Sequence, residues 1–292
     1  MQVLFDGDVV VYRAGFAAEK THYYVEHDGG IHDFTKKSDA SGYISRNQGA
    51  NLVKVEKVVE PVENAIFNAK SIITSALTPL GANEDDLVVV LSGPTNFRYG
   101  VAKSKPYKGN RDAAHKPVHR EDILAYIKRR FKTVESVDEE ADDVLGYLHY
   151  NVWEADSYGS VICTIDKDLD MIPGMHYNFR DESMYYIDPT LGDRNFWRQM
   201  LVGDTVDNIP GCPGVGPAKA EKLLGVLHPS EMYPVVRASY VLSYGEEKAD
   251  ETLLEMGRLL WIRRRKDEWW SPPEAGSPLP DTTISVPDKT AA

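Results

Sequence analysis

The sequence predicts an α/β fold with a mostly parallel central sheet flanked by helices. Apolar runs at residues 3–5 and 87–91, and the largely apolar segment 160–165, are typical of buried central strands. Segments with helical spacing separate these runs, and strands that alternate with helices usually form a parallel sheet. Ligands collect at the C-terminal ends of such strands, where Asp6 and Asp166 follow two of the runs. We therefore expect these two aspartates to share a site.

Local patterns predict the elements of the first ninety residues. The first strand ends at Asp6. Alternating tyrosines and valines predict a β-hairpin over residues 21–34, with its turn at residues 28–30. Residues 35–55 are polar and weakly patterned, so a loop or short excursion is expected there. Helical spacing then predicts a helix over residues 58–80, which ends at a proline and a glycine.

Several helices are predicted after residue 119. Helices are expected over residues 120–131 and 139–152, the second of which carries several acidic residues. From residue 203 the pattern is mostly helical and includes an amphipathic helix over residues 249–264. From residue 271 onward Pro, Gly, Ser and Thr dominate, which predicts a disordered tail.

Composition and charge narrow the class of protein. The chain has 292 residues, of which 42% are apolar, and a net charge of −12. Residues 98–132 nevertheless hold 11 Lys and Arg against 3 Asp and Glu, a local charge of +8. Such a basic segment on an acidic body can contact phosphate, although a solvated basic loop and helix would show the same pattern.

Other features favour a cytoplasmic protein. No stretch approaches the roughly 20 apolar residues of a membrane span, and the N-terminus lacks the pattern of a signal peptide. The two cysteines, Cys163 and Cys212, resemble neither a zinc site nor a disulfide framework. A reducing compartment fits this composition.

Clustered carboxylates are the strongest chemical signal. Seven acidic residues fall in the motifs at residues 140–143, 164–168 and 203–208, and Asp6 is an eighth. Carboxylates packed together repel one another unless cations hold them, and oxygen-only ligands suit Mg²⁺ or Mn²⁺. Two such ions commonly serve the hydrolysis of phosphodiesters, so a metal-dependent nuclease is predicted.

Simpler interpretations of these motifs remain open. The acidic residues at 140–143 also suit the first turn of a helix, where the helix dipole favours negative charge. Aspartates at residues 166–170 also suit Asx-turns.

Two further segments indicate contact with phosphate. Residues 211–220 form a Gly/Pro hairpin that opens a helix, and its exposed N–H groups could bind a DNA backbone. In residues 107–111, Lys108 could act as a point charge on the scissile phosphate and Arg111 could bind it in bidentate fashion. Tyr107 could stack on an unpaired base. Plain turns use the same residue types.

The order of these motifs resembles a known family, the structure-specific 5′-nucleases, which comprise flap endonucleases and 5′→3′ exonucleases. The bacteriophage members look most similar, and the resemblance covers roughly residues 1–265. Its elements, in family order, are Asp6-Gly7 and residues 107–111, 140–143, 164–168 and 203–211, the last of which runs into the Gly-Val-Gly-Pro hairpin.

The resemblance implies a PIN-like nuclease domain over residues 1–200, with an arch at about residues 94–120. A helix-hairpin-helix-type DNA-binding region is implied over residues 201–270, followed by the disordered tail over 271–292. The hairpin at 211–222 would grip the duplex backbone with a K⁺ ion, through Gly214, Val215, Gly216 and Lys219.

The resemblance also implies the roles of the acidic residues. The first metal would be held by Asp6, Glu140, Asp142 and Asp143. The second metal would be held by Asp166, Asp168, Asp204 and Asp207. Lys108 and Arg111 would act on the scissile phosphate beside the catalytic carboxylates Asp6, Asp142 and Asp166.

The implied activity is hydrolysis of DNA near 5′ ends or flap junctions, with two Mg²⁺ ions that Mn²⁺ can replace. RNA–DNA hybrids with RNA primers are a natural variant of the substrate, and replication proteins are candidate partners. The sequence leaves the oligomeric state open.

One departure from the family pattern bears on catalysis. Family members commonly carry an aspartate just after the second strand, whereas this chain has Ser92-Gly93-Pro94 there. Asp8 or a water is expected to substitute. A non-catalytic protein that binds DNA junctions is therefore the alternative function. An RNA-cleaving toxin of the same broad sheet type is a weaker alternative, because such toxins are much shorter and lack the duplex-gripping region.

Overall fold

The computed structural model describes residues 1–111 and 116–273, and the chain divides into two compact units. The first unit comprises Met1–Asp8, Ala76–Ala113 and Lys132–Ala292, and the second comprises Val9–Ser75 and Ala114–Phe131. No helix in the described part of the chain is both long and apolar enough to cross a membrane.

Strands and helices are interspersed along the described chain up to residue 187, and four consecutive α-helices follow. The strands are β1 (Gln2–Asp6), β2 (Glu19–His27), β3 (Gly30–Phe34), β4 (Asn51–Val59), β5 (Leu87–Leu91), β6 (Thr133–Glu135), β7 (Ser160–Cys163), β8 (Gly174–Asn178) and β9 (Ser183–Ile187). The α-helices are α1 (Gly7–Ala17), α2 (Lys37–Arg46), α3 (Val62–Leu77), α4 (Arg98–Val101), α5 (Arg120–Arg130), α6 (Ala141–Trp153), α7 (Pro189–Val202), α8 (Pro217–Leu224), α9 (Pro229–Tyr244) and α10 (Glu246–Leu260).

The first unit is built on a six-stranded sheet of order β6-β5-β1-β7-β8-β9. Its pairs are parallel except for the last, in which β9 runs antiparallel to β8. Strand β5 has the sequence LVVVL, and all five of its side chains are buried, as expected of a central parallel strand. The prediction of an α/β fold with a mostly parallel sheet is confirmed.

Helices α7 to α10 belong to the same compact unit as the sheet. Their shared core includes Trp197, Met200, Tyr240 and Met256. The predicted domain boundary at residue 200 does not separate compact units, since the end of α7 and the three later helices bury one continuous core.

The last helix, α10, ends at Leu260, not at the predicted residue 264. The chain leaves the helix there because Arg263 and Arg264 extend into buried ion pairs with Glu139 and Asp193. Most of the predicted tail, residues 274–292, lies outside the described residues.

The second unit contains a three-stranded antiparallel sheet of order β3-β2-β4. The predicted hairpin is confirmed as β2 and β3, with Asp28 and Gly29 in the left-handed conformation at the turn. The expectation of a loop over residues 35–55 is wrong, because this segment forms α2 and most of β4. The helix predicted from residue 58 starts only at Val62, since β4 runs to Val59.

Candidate active site

The parallel pairing of β1 with β7 brings two predicted carboxylates to one edge of the sheet. Phe5 lies beside Cys163 in this register, so Asp6 and Thr164 follow at neighbouring strand ends. The Thr164 hydroxyl donates a 2.8 Å hydrogen bond to Asp6 and accepts one of 2.9 Å from the N–H of Asp166. Only 2% of Asp6 is exposed, so this carboxylate lies inside the fold.

Asp142 joins this group from the first turn of α6. Burial raises its pKa well above the usual value, and the negative charges of Asp6, Asp166 and Glu140 raise it further. Glu140 immediately precedes the helix, as its N-cap residue. The end of β1, the turn after β7 and the start of α6 therefore bring acidic groups together in a partly desolvated environment.

A second group of carboxylates lies close enough to Asp168 to act on it electrostatically. Burial, together with Asp166, Asp204 and Asp207, raises the pKa of Asp168 to about 7. The amide of Gln199 donates a 3.0 Å hydrogen bond to it. The pKa of Asp166 is also raised, by burial first and then by Asp207 and Asp204, against a hydrogen bond from the Asp168 backbone.

A tight turn after α7 supplies Asp204 and Asp207. Asp204 and Ile209 exchange backbone hydrogen bonds of 2.8 and 2.7 Å, which close the turn. Gly203 has φ of 75° and lies so close to the backbone of Ile209 and Gly211 that a side chain would overlap it. The glycine is therefore needed to place these two aspartates.

The segment at residues 107–111 links the two groups of carboxylates. The Lys108 ammonium forms an ion pair with Glu140 and lies 3.6 Å from Asp207, and Arg111 also pairs with Asp207. The Tyr107 hydroxyl lies 2.9 Å from Glu140 and 2.7 Å from Asp207. Burial would lower the pKa of Lys108, but Glu140 and Asp207 raise it, so the amine stays charged.

The position of Tyr107 contradicts its predicted stacking on a base. Its side chain is 5% exposed and packs in the helical core of the first unit. A ring buried in this way presents no face to a nucleobase. Burial and Glu140 raise its pKa, so the hydroxyl keeps its proton and donates it to one of the two carboxylates at a time.

Asp143 has a structural role instead of the predicted metal-binding role. Both of its oxygens accept from the Arg98 guanidinium, at 2.5 and 2.9 Å, and the N–H groups of Glu140 and Arg263 also donate to it. Burial alone would raise the pKa of Asp143, but Arg98 holds it below its usual value. With its oxygens engaged in this way, Asp143 is not placed to serve the first metal.

The glycine at the family's aspartate position is explained by its surroundings. A Cβ atom at Gly93 would overlap the carbonyl oxygen of Ser136, and the Gly93 N–H donates a 2.9 Å hydrogen bond to the Ser136 hydroxyl. The nearby Asp8 carboxylate accepts from the N–H of Ser92 at 3.2 Å. Asp8 thus reaches the end of β5, where the sequence predicts that Asp8 or a water substitutes for the missing aspartate.

The Gly/Pro hairpin lies before α8, as predicted. A side chain at Gly214 or Gly216 would meet open space, so their backbone is accessible. Lys219 is exposed on the first turns of α8. The Val215 side chain, by contrast, is buried in the helical core, so only its backbone could contact a ligand.

The carboxylates do not form a closed ligand shell in this arrangement. Within residues 1–111 and 116–273, no three Asp, Glu, His or Cys side chains converge into a set that could hold an ion. The Lys108 and Tyr107 side chains lie between Glu140 and Asp207 and hold them through hydrogen bonds. An ion bound by either acid would compete with these contacts.

Some residues that shape the site were not predicted. Arg98 fixes Asp143 and thereby the start of α6, and Gln199 binds Asp168. The sequence does contain a signal for Arg98, in the Phe97-Arg98 pair after β5. A buried carboxylate requires a cationic partner, and this arginine is one. No local pattern distinguishes Gln199.

Comparisons with known proteins support the fold. No protein-family model matches the chain. DNA polymerase I of Bacillus caldotenax is 27% identical over 244 residues, and that of Bacillus subtilis is 28% identical over 246 residues. Each match covers 76% of this chain and 23% of the polymerase, so the chain spans less than a quarter of these relatives.

Solved structures match over most of the chain. The T5 5′-exonuclease with bound zinc superposes with a TM-score of 0.53 at 18% identity and covers 89% of both chains. The chain has the fold of the T5 5′-exonuclease. A complex of the bacteriophage T5 flap endonuclease with DNA and metal ions gives a TM-score of 0.52 at 18% identity over 88% of both chains. The predicted resemblance to bacteriophage 5′-nucleases is confirmed at the level of the fold.

Proposed function

We propose that this protein is a Mg²⁺-dependent 5′-nuclease that hydrolyses DNA phosphodiesters near 5′ ends or flap junctions. The observation that carries the proposal is the proximity of acids from separate segments on a T5 5′-exonuclease fold. Thr164 links Asp6 to the turn of Asp166, and Lys108 lies between Glu140 and Asp207. The similarity to DNA polymerase I and to a DNA-bound flap endonuclease supports DNA as the substrate.

The donor chemistry fits divalent cations. The buried carboxylates are forced toward their protonated forms mainly by burial and by each other, so a cation would relieve an uncompensated cost. Hard oxygen ligands of this kind suit Mg²⁺, with Mn²⁺ as a substitute. The first ion would be held by Asp6, Glu140 and Asp142, with Asp8 nearby. The second ion would be held by Asp166, Asp168, Asp204 and Asp207.

The ions, when bound, would activate water and stabilise charge on the attacking and leaving oxygens of the phosphodiester. The chain's own contribution is to orient the phosphate. Lys108 and Arg111 lie beside the carboxylates and, once exchanged from Glu140 and Asp207, would donate to the non-bridging oxygens. Both cations come from one short segment, so they would reach the phosphate together.

The hairpin before α8 would hold the duplex. The open backbone at Gly214 and Gly216 and the exposed Lys219 suit contacts with phosphate, assisted by K⁺. Backbone contacts read shape more than sequence, so removal of RNA primers from RNA–DNA hybrids is included in the proposal.

A duplex with a labelled 5′ flap tests the proposal, incubated with Mg²⁺ or with EDTA. The parent is expected to cut near the 5′ end or the junction only with Mg²⁺, whereas Asp142→Asn and Asp166→Asn lose most of the activity while remaining folded. Asp170→Asn is the matched control, because Asp170 lies in the same turn but binds Tyr185 instead of facing the other acids. Equal cleavage by the parent and both site variants would refute the proposal.

The second candidate is a junction-binding protein without catalysis. The crowding of Gly93 by Ser136 favours it, since this position cannot carry the acid found in family members. Binding of the flap duplex without cleavage, in either Mg²⁺ or Mn²⁺, would select this function.

A further inference from the structure

Strand β4 presents an unusually apolar edge in the second unit. Among the described residues it pairs only with β2, so its other edge carries no neighbouring strand. Its aliphatic side chains are between 38% and 52% exposed and belong to Leu52, Val53, Val55, Val58 and Val59. From Lys54 onward the side chains alternate between faces, so Val55 and Val58 expose aliphatic groups on opposite faces. The pairing with β2 shifts by one residue at Val53, where a β-bulge interrupts this alternation. An edge of this kind is a template for another strand.

The charges that usually protect such an edge are neutralised within the chain. Lys54 lies 2.8 Å from Glu56 on the same face of the strand. Lys57 pairs with Glu19, whose side chain is only 4% exposed. Charged side chains, above all lysines, are one device that prevents edge strands from associating. Here both lysines already have acidic partners, so the protection is weak.

We propose that β4 is a self-association surface, on which the β4 strands of two copies pair antiparallel. A two-fold axis normal to the sheet and through Val55 gives this pairing. Such an axis leaves each side chain on the same face of the joined sheet. A residue that precedes Val55 by a given number of positions then lies opposite the residue that follows Val55 by the same number in the other copy. The two small sheets would then form one continuous antiparallel sheet.

The charges of β4 favour this register, and they favour a second copy of this chain as the partner strand. With the axis at Val55, Lys54 of each copy lies opposite Glu56 of the other, which gives two cross-strand ion pairs. Val55 lies opposite Val55 of the other copy, so aliphatic groups also meet. An axis at any other residue of β4 breaks both ion pairs. This self-complementarity is what a two-fold interface requires.

Charge exchange on the full-length protein provides the main test. The parent is expected to run at twice the chain mass in light scattering, and to dissociate on dilution. Lys54→Glu places a glutamate at position 54 opposite Glu56 of the other copy, and Glu56→Lys places a lysine at position 56 opposite Lys54. Like charges then face each other at both positions, so each variant alone is expected to be monomeric. A mixture of the two variants restores opposite charges at both positions and is expected to form a heterodimer.

Cross-linking tests the register. The native Cys163 and Cys212 are buried, so an introduced surface cysteine is the main reactive thiol. Val55→Cys lies on the axis, and its two copies are expected to form a disulfide on mild oxidation. Val59→Cys is the control, because its two copies lie on opposite sides of the axis, several residues apart, and are expected to cross-link far less. A parent that is monomeric at every concentration would overturn the proposal, as would a dimer that neither charge variant disrupts.

Discussion

The Tyr107 hydroxyl donates a 2.7 Å hydrogen bond to Asp207, across a sequence separation of 100 residues. The same oxygen lies 2.9 Å from Glu140. Since a hydroxyl has one proton, it can fully satisfy only one of these carboxylates at a time. Lys108 supplies the positive charge that lets the two acids approach the same group. Together these two side chains connect the acids proposed for the first and second metals.

Removing the Tyr107 hydroxyl is expected to destabilise the protein more in the absence of metal than in its presence. Tyr107→Phe leaves the partly buried carboxylates of Glu140 and Asp207 short of a donor, which costs about 1–3 kcal/mol. Saturating Mg²⁺ would satisfy the same oxygens and reduce the difference. Urea denaturation in EDTA and in Mg²⁺ measures both values. Tyr99→Phe is the control, because Tyr99 contacts the Tyr107 ring edge-on but is 60% exposed. If Tyr107→Phe lowers the free energy of unfolding equally in EDTA and in Mg²⁺, the hydroxyl and the ions do not compete.

Lys108 is expected to contribute to the rate of cleavage more than to metal binding. Lys108→Met removes the charge proposed to face the phosphate, and the loss of such a group typically lowers kcat about 100- to 1,000-fold. The Mg²⁺ concentration that gives half-maximal activity should not rise, because the ammonium competes with the ions for Glu140. Single-turnover cleavage across a Mg²⁺ series measures both quantities. Lys105→Met, in the same exposed basic segment, serves as the control. Full recovery of the Lys108 variant at high Mg²⁺ would assign the lysine to metal binding instead.

Much of this site was predictable because its signals are local. The buried strands are continuous apolar runs, and Asp6 and Asp166 follow directly from the ends of two of them. The contacts of Tyr107 were not predictable, since nothing near residue 107 indicates that the chain folds back onto Asp207. Asp143 was misassigned for a similar reason. Its partner Arg98 is 45 residues away and turns a typical ligand residue into a buried structural ion pair.

The missed strand β4 shows a different limit. Its residues alternate aliphatic and charged side chains only in part, and no face of the strand is buried in the described chain. Burial is what normally imposes a period of two on a strand sequence, so without it the pattern is weak. Helix α2 was missed because Ala40 is its only fully buried residue.

Two buried histidines are expected to make stability depend on pH. Burial lowers the pKa of His149 to about 3 and that of His176 to about 4, from an ordinary value of 6.5. Between these values and 6.5 the unfolded chain binds protons that the folded chain does not, so stability falls as the pH falls through this window. The slope is at most about 1.4 kcal/mol per pH unit for each histidine.

The variant His176→Gln isolates one of these contributions. Glutamine can keep a donor near the Ile172 carbonyl, which His176 contacts at 2.8 Å, but it does not titrate. Its free energy of unfolding, measured in urea from pH 4.5 to 8, should fall less steeply below pH 6.5 than that of the parent. The comparison is made between the two curves because carboxylates titrate in both proteins. Parallel curves would show that His176 does not couple folding to protons.

The replacement of the family's aspartate by Gly93 leads to a paired prediction. Gly93→Ala is expected to destabilise the fold by about 1–3 kcal/mol, because its Cβ would overlap the Ser136 carbonyl and force a backbone shift. Gly93→Asp should therefore fail to raise activity, even though it restores the family's residue. Asp8→Asn, by contrast, should raise the Mg²⁺ concentration needed for cleavage, because Asp8 reaches the same strand end. Cleavage across a Mg²⁺ series, alongside urea denaturation, separates the two effects. An active, stable Gly93→Asp variant with a lower Mg²⁺ requirement would show that the site accepts the missing ligand and that Asp8 does not replace it.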